Sequence, residues 1–242
     1  MVISPVPVPP SPDNEETPPG HIFDVIEPDA AVQTGAPAHP AAQQRTFPVP
    51  YVTYSVIAIC LIVFVYYNEI LGRRALDPLT FSPGQALVWP GILTHMFAHN
   101  DEMHILGNMV SLFFMGRIIE WRYGSVRFAA IYFVSGLFAA LLQAAFDPFA
   151  QLLGASGAIA GIMAVFLRHY PNARLWLMGI LPMPTWVLIP GWMVLNILGA
   201  TVSNNLGIAF LAHLGGFAAG MLMSLVFVHP GQVEKNPWFE VK

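Results

Sequence analysis

The sequence predicts an all-α fold, a polytopic membrane protein built as a bundle of six transmembrane helices, and three observations support this. Of the 242 residues, 55% are hydrophobic and only 10% are charged, whereas soluble chains carry about 25% charged residues. The mean hydropathy is +0.59. Six apolar segments follow one another between residues 51 and 228. The net charge of −4 leaves no basic footprint for nucleic acid.

Three regions differ in composition. Residues 1–48 are rich in proline, contain six acids and have Arg45 as their only base. Such a segment cannot bury enough apolar surface to offset its chain entropy, so we expect a disordered acidic tail on the cytoplasmic side. Residues 49–229 form the predicted six-helix domain. Residues 230–242 form a short polar tail.

The apolar segments give the helix boundaries. We predict helices over residues 51–71, 102–119, 126–146, 156–170, 185–202 and 208–228. The fourth helix is shorter than the roughly 20 residues that cross a bilayer, so its first residue is expected below the membrane surface, inside protein. The fifth contains Pro190, which should bend or loosen it. We expect the loop 72–100, which is rich in apolar residues, to lie at the membrane interface. We expect the same location for residues 175–184.

The positive residues predict the orientation. Six helices place both termini on one side, and eight of the ten Lys and Arg residues fall on that side. Only Arg73 and Arg74 fall on the other. By the positive-inside rule both termini are cytoplasmic, and the start of the fourth helix faces the outer side. Because the sequence shows no organelle signal, we expect the bacterial inner membrane.

Ser156 and His213 are the first candidate catalytic residues. Ser156 opens the short fourth helix within GASGAIAG (154–161), and His213 is the titratable residue of the sixth helix, in AHLGGFAAG (212–220). A histidine inside the membrane is costly and is a functional candidate, although it can also serve packing alone. A serine needs such a base to act as a nucleophile at neutral pH.

Small residues suggest how this serine and this histidine meet. Gly157 on the fourth helix and Gly216 and Gly220 on the sixth lie at the spacing that lets two helix backbones approach closely. Packing the two helices along these faces would bring Ser156 within reach of His213.

The second helix contributes two more polar residues. His104 and Asn108 are spaced i, i+4 and share one helix face. Such side chains can donate hydrogen bonds to an oxyanion, although the pair could equally form an interhelical polar contact. No acid occurs between Asp147 and Glu234, which predicts a Ser–His dyad instead of a triad. The soluble-hydrolase elbow is absent, because Ala158 occupies the position of its second glycine.

A metal site is the alternative use of the histidines. His95 and His99 are also spaced i, i+4, but the H-E-x-x-H pattern is absent and no acid in a later helix completes a ligand set. We therefore expect no metal, and expect both residues to brace the loop before the second helix.

Four segments together resemble the rhomboid family of intramembrane serine proteases, over about residues 51–228. They are HMFAHNDEMHILGN (95–108), EWRYG (120–124), GASGAIAG (154–161) and AHLGGFAAG (212–220). Each is short, but all four occur in the family's order and on the corresponding predicted helices.

The resemblance implies a rhomboid-like bundle that acts as a serine endopeptidase without a cofactor. Ser156 would be the nucleophile and His213 the general base. His104, Asn108 and the backbone N–H of Ser156 would form the oxyanion hole. The partners would be the lipid bilayer and membrane proteins whose transmembrane helices are cut near the outer surface. The supporting or structural residues would be Gly154, Gly157, Gly216, Gly220, Glu120 and Arg122.

Two positions depart from the family pattern. Trp89 is followed by Pro90, where many members have Trp-Arg. Ala160 stands one turn after the nucleophile, where many members carry an aromatic against the base, so Phe217 or Met163 is expected to hold His213.

Two rival functions remain open from the sequence. An inactive rhomboid-like protein would bind transmembrane clients without cutting them, but such proteins usually lose the serine or the histidine. A transporter is disfavoured because the chain has no evident inverted repeat and almost no acids in its helices.

Overall fold

The computed structural model describes residues 48–72, 77–82, 84, 90–177, 181–202 and 209–227. Apart from residue 48, the predicted tails 1–48 and 230–242 lie outside the described residues, as does Trp89. Eight α-helices and two strands lie in the described part: α1 (Tyr51–Phe64), α2 (Gly91–Thr94), α3 (Glu102–Ser111), α4 (Arg117–Tyr123), α5 (Ser125–Phe146), α6 (Ser156–His169), β1 (Arg174–Leu177), β2 (Leu181–Pro184), α7 (Thr185–Val202) and α8 (Phe210–Val226).

Each of the six predicted helical segments contains helix. Two of them include a π-helical stretch: Val65–Ile70 extends α1, and Leu112–Gly116 joins α3 to α4. The second segment therefore continues four residues beyond the predicted end, to Tyr123. Its helix stops there because Gly124 adopts φ +79°, a conformation outside the helical region.

Helix length bears on how many segments cross the membrane. Among the described residues, Tyr51–Ile70 and Ser125–Phe146 are long and apolar enough to span a bilayer, judged by length and composition. The helices Ser156–His169, Thr185–Gly199 and Phe210–Val226 are apolar but shorter. The count of six spans therefore remains a prediction.

A short antiparallel hairpin is the feature that the all-α prediction missed. β1 pairs with β2 so that Arg174 faces Pro184 and Leu177 faces Leu181. Proline cannot donate a ladder hydrogen bond, and β2 contains Pro182 and Pro184. Both strands of a two-stranded sheet are edges, however, and edges tolerate proline. The exposed Trp176 on β1 suits the interfacial location predicted for this segment.

Helix α6 lies against α8 at backbone contact. A Cβ added to Gly216 would collide with the carbonyl oxygen of Gly157, and a Cβ added to Gly220 would collide with the carbonyl oxygen of Gly161. The close approach predicted from the small residues is therefore present. It brings the N-terminal end of α6 beside the first turn of α8, where His213 lies.

Glu120 on α4 holds the start of α1. Its carboxylate accepts hydrogen bonds from the backbone N–H groups of Val52 (3.0 Å) and Thr53 (2.8 Å), and from the hydroxyls of Thr53 (2.7 Å) and Ser125 (2.6 Å). The side chain is only 2% exposed. This carboxylate supplies a cap that α1 lacks locally, since Pro50 at its N-terminus provides no side-chain acceptor.

A second cluster lies at the opposite end of α6 from Ser156. The guanidinium carbon of Arg122 lies 5.8 Å from the centre of the Tyr170 ring. The Tyr123 hydroxyl and Nε2 of His169 are 2.5 Å apart. These contacts join α4 to the C-terminal end of α6.

Candidate active site

The turn before α6 depends on Gly154. Its φ is +116°, which side-chain-bearing residues rarely adopt. A Cβ there would lie 2.6 Å from both Cε1 and Nε2 of His104. Its N–H donates to the carbonyl of His95 at 2.8 Å. The glycine thus lets the chain turn into α6 while the His104 ring lies against its backbone.

His95 and His99 contact this turn from the loop before α3, the loop that they were expected to brace. Nδ1 of His95 lies 3.0 Å from the Gly91 carbonyl oxygen, and Nε2 of His99 accepts from the N–H of Ala155 at 3.4 Å. Burial lowers the pKa of both histidines to about 4. The carbonyl of His99 in turn accepts from the side-chain amide of Asn68 at 2.8 Å. The loop is therefore tied to both α1 and α6.

Ser156 and His213 lie in hydrogen-bond contact. Ser156 is the first residue of α6 and is partly accessible, whereas His213 in the first turn of α8 is 9% exposed. Nε2 of His213 lies 2.9 Å from Oγ of Ser156. That distance is within the range at which a histidine can accept the proton of a serine hydroxyl.

The opposite edge of the His213 ring meets α7, a contact that the sequence did not predict. Nδ1 of His213 lies 2.5 Å from Oδ1 of Asn196. The Trp192 ring lies beside the imidazole, with ring centres 5.1 Å apart and planes tilted by 39°. The aromatic ring that packs on His213 is thus Trp192, a residue that was not expected there. An asparagine in an apolar helix was the signal available, because such residues are costly in a membrane.

His104 and Asn108 both lie beside Gly154. Nδ1 of His104 lies 2.9 Å from Oδ1 of Asn100, which leaves the Nε2 edge of the ring facing Gly154. Nδ2 of Asn108 is buried, has no hydrogen-bond partner among the described residues, and lies 3.7 Å from where a Cβ on Gly154 would be. Because a buried donor is costly to leave unpaired, this amide is suited to a ligand oxygen.

The alternative of a metal site gains no support from the geometry. Across the described residues, no group of three or more His, Cys, Asp and Glu side chains is arranged to hold a metal ion. The rings of His99 and His104 are near each other, with centres 5.0 Å apart, but His99 is engaged with Ala155.

The family model of the Rhomboid domain matches residues 86–230. The chain belongs to the rhomboid family. Rhomboids are integral membrane proteins, so this chain is an integral membrane protein.

Three relatives illustrate the range of similarity. RHOMBOID-like protein 7 of Arabidopsis thaliana is 27% identical over 81% of this chain and 71% of its own length. Rhomboid protease GlpG of Enterobacter sp. (strain 638) is 27% identical over 71% of this chain and 61% of its own length. RHOMBOID-like protein 1 of Arabidopsis thaliana is 30% identical over 58% of this chain, which spans only 35% of that relative. The name of the second of these states a protease; those of the plant relatives state no activity.

Proposed function

We propose that the chain is an intramembrane serine endopeptidase that cleaves transmembrane segments of other membrane proteins. The observation that carries this proposal is the 2.9 Å contact between Nε2 of His213 and Oγ of Ser156. The naming of one relative as a rhomboid protease supports the same reaction class.

The reaction follows the chemistry of a serine nucleophile with a histidine base. Nε2 of His213 takes the hydroxyl proton of Ser156 as Oγ attacks a peptide carbonyl of the substrate. The resulting tetrahedral intermediate expels the amine, which receives that proton from His213. Water then attacks the acyl-enzyme with His213 again as base, and releases the second product and free Ser156.

The oxyanion hole of this proposal is built from α3 and the start of α6. Asn108 supplies the unpaired Nδ2 donor, and the backbone N–H of Ser156 is one of the N-terminal helix donors that have no intrahelical partner. His104 presents its Nε2 edge to the same glycine. Because an amide oxygen only accepts, a neutral His104 can carry its proton on Nε2 and donate there only when the Asn100 amide turns its Nδ2 toward Nδ1, in place of the Oδ1 that lies 2.9 Å from Nδ1 in this structure.

Helix length supports cleavage within the membrane. Helix α6 has 14 residues, which at about 1.5 Å per residue gives a length of about 21 Å. The hydrocarbon core is about 30 Å thick, so a helix that reaches the cytoplasmic surface would start below the outer one. Ser156 then meets a substrate helix inside the bilayer, near buried water.

The proposal includes six spans with both termini in the cytoplasm of a bacterial inner membrane. The distribution of Lys and Arg supports this orientation. Single cysteines placed in a Cys60→Ser background test it by labelling with a membrane-impermeant maleimide in intact cells. A cysteine at residue 240 should stay unlabelled until the cells are lysed, and one at residue 75 should label directly.

The central test is cleavage of a model transmembrane substrate by purified protein in liposomes. Wild type should cut, and Ser156→Ala and His213→Ala should not. Ser55→Ala removes an exposed serine on α1 and serves as the matched control, with activity expected to equal wild type. A fluorophosphonate probe should label Ser156 in wild type and should fail to label it in His213→Ala.

Three results would contradict the proposal. Equal cutting by wild type and both variants would reveal a contaminating protease. Absence of both cutting and labelling across several substrates would favour a protein that binds transmembrane clients without cleaving them. Solute transport that survives Ser156→Ala would favour a transporter.

A further inference from the structure

The face of His213 turned away from Ser156 is occupied by two residues of α7. Asn196 and Trp192 are four residues apart, so they lie one turn apart on the same helix face. Asn196 is only 3% exposed, whereas its neighbours Leu195 and Ile197 are 65% and 48% exposed. The asparagine therefore points into the protein from a helix whose flanking positions face outward.

The hydrogen bonds of Asn196 determine which amide atom meets the histidine. Its Nδ2 donates to the Trp192 carbonyl at 2.8 Å. Its Oδ1 is thereby directed to Nδ1 of His213 at 2.5 Å. An amide oxygen only accepts, so the shared proton belongs to Nδ1. In a neutral imidazole, a proton on Nδ1 leaves Nε2 with its lone pair toward Ser156, the form that a general base requires.

The Trp192 ring fixes the plane of the imidazole. The two rings have their centres 5.1 Å apart at a 39° tilt. On the α6 side the corresponding position is Ala160, a fully buried residue that is too small to reach across the ring. The side chain that packs on the His213 ring therefore comes from α7 and not from α6.

We propose that Asn196 and Trp192 are positioning residues for the base, so that the site works as a Ser156–His213–Asn196 relay with a neutral amide as its third member. This inference rests on the proposed serine-protease function. Asn196 selects the tautomer and Trp192 holds the ring plane, while neither touches the reacting atoms. The orientation of the base then depends on where α7 lies, although the nucleophile and the base belong to α6 and α8.

Substitutions at Asn196 separate positioning from a merely structural role. Asn196→Leu keeps the approximate size and removes the acceptor. General-base catalysis is worth about 10²–10⁴-fold, so partial loss of orientation should lower kcat by about 10–100-fold. KM should stay within about two-fold. Rates are divided by the number of active sites titrated with a fluorophosphonate, which removes the effect of misfolded protein. Leu195→Ala, at the exposed neighbouring position, should match wild type.

Asn196→Asp restores an acceptor and adds a pH signature. It should recover most of the kcat lost in Asn196→Leu. It should also move the acid limb of the kcat/KM profile to higher pH, because a carboxylate favours the imidazolium. His104 of α3 is the other titratable group whose charge acts on His213, and it is common to all variants. If kcat per active site of Asn196→Leu equals wild type, or the Asp profile superimposes on that of wild type, the proposal is wrong.

Trp192 is tested separately, because its side chain is not the acceptor for Asn196. Trp192→Phe should keep kcat within about three-fold, and Trp192→Ala should lower it by about ten-fold or more by freeing the ring. Equal kcat per active site in Trp192→Ala and wild type would remove Trp192 from the positioning role.

A measurement without turnover distinguishes failure of this inference from failure of the proposed function. The ¹⁵N NMR signals of the His213 ring, assigned by their loss in His213→Gln, report its tautomer. Wild type should show the proton on Nδ1, and Asn196→Leu should show a mixture of tautomers. A wild-type proton on Nε2 would overturn the inference even in an active enzyme. The expected tautomer in a protein that neither cuts nor labels would overturn only the protease function.

Discussion

At the scale of single residues, Gly154 combines two constraints. Its φ of +116° would strain any other residue, at a cost of about 1–3 kcal/mol, and a Cβ would press on the His104 ring. We expect Gly154→Ala to lower the melting temperature and to reduce kcat by about 100-fold or more, because it displaces a proposed oxyanion donor. Purified variants in detergent give both numbers.

Gly72→Ala is the matched control for this prediction. Gly72 also has a positive φ, +86°, but an added Cβ would meet nothing within 4 Å. Gly72→Ala should therefore carry the same backbone strain and leave kcat at the wild-type value. Equal losses of kcat in the two variants would show that strain, and not the contact with His104, governs the effect.

Asn108 gives a second residue-scale prediction. Its buried, unpartnered Nδ2 is proposed to donate to the oxyanion, and removing one such donor costs about 10²–10³ in rate. We expect Asn108→Leu to lower kcat by that factor while stability stays near wild type or rises slightly, because an unpaired buried donor is removed. Leu106→Ala, at an exposed position on the same helix, should leave kcat unchanged. A kcat of Asn108→Leu within three-fold of wild type would exclude Asn108 from the oxyanion hole.

Residue patterns predicted part of this site. Ser156 and His213 could be predicted from the sequence because each is polar within an apolar segment and is flanked by small residues. The roles of Asn196 and Trp192 could not be predicted, because their contact with His213 depends on the rotation of α7 about its axis. A helix that is apolar on all sides does not encode that rotation. The absence of an acid between Asp147 and Glu234 argued against a carboxylate partner for His213, and the partner of Nδ1 is the amide oxygen of Asn196.

At the scale of elements, the buried carboxylate of Glu120 joins α4, α1 and α5. Glu120→Ala would leave two backbone donors and two hydroxyls without their acceptor. Hydrogen bonds to charged groups contribute about 1.5–3 kcal/mol, so we expect a loss of about 2–4 kcal/mol in unfolding free energy. Glu120→Gln keeps one acceptor oxygen and should lose about half as much. Reversible unfolding in mixed micelles measures both, and equal stability of Glu120→Ala and wild type would show that the cap contributes nothing.

Element boundaries were predictable to the extent that hydropathy sets them. The apolar runs located the six long helical segments but not the short α2, which lies in the predicted loop 72–100. The last predicted residue of the fourth helix was wrong by one. The hairpin 174–184 was missed because Pro182 and Pro184 disfavour strands in general, although a two-stranded edge accepts them. The π-helical stretches were missed because helix periodicity does not report a single extra residue.

At the scale of the whole molecule, acid should weaken the fold. Burial lowers the pKa of His95 and His99 to about 4, from 6.5. The unfolded chain therefore binds more protons than the folded chain between pH 6.5 and 4. The contribution of these two histidines to the free energy of unfolding is fully present above about pH 6.5 and is lost as the pH drops toward 4. We expect the melting temperature to fall by about 10–20 °C between pH 7 and pH 4.5.

The matched variant for this effect is His99→Gln. It removes one titrating group and should flatten the pH dependence while lowering stability at pH 7, where the bond to Ala155 is lost. Calorimetry at several pH values gives the slope of melting temperature against pH for wild type and for His99→Gln. A wild-type slope that is flat, or one that His99→Gln leaves unchanged, would show that these histidines do not couple the fold to protonation.

The π-helical stretch Leu112–Gly116 sets the angular phase between the two ends of its segment. Upstream, His104 and Asn108 must face Gly154; downstream, Glu120 must face Thr53. Each residue advances an α-helix by about 100°, so a chain one residue shorter in this stretch could align one end only at the expense of the other. Insertions and deletions between residues 109 and 119 should therefore be excluded from functional sequences, whereas substitutions that keep the count should be accepted.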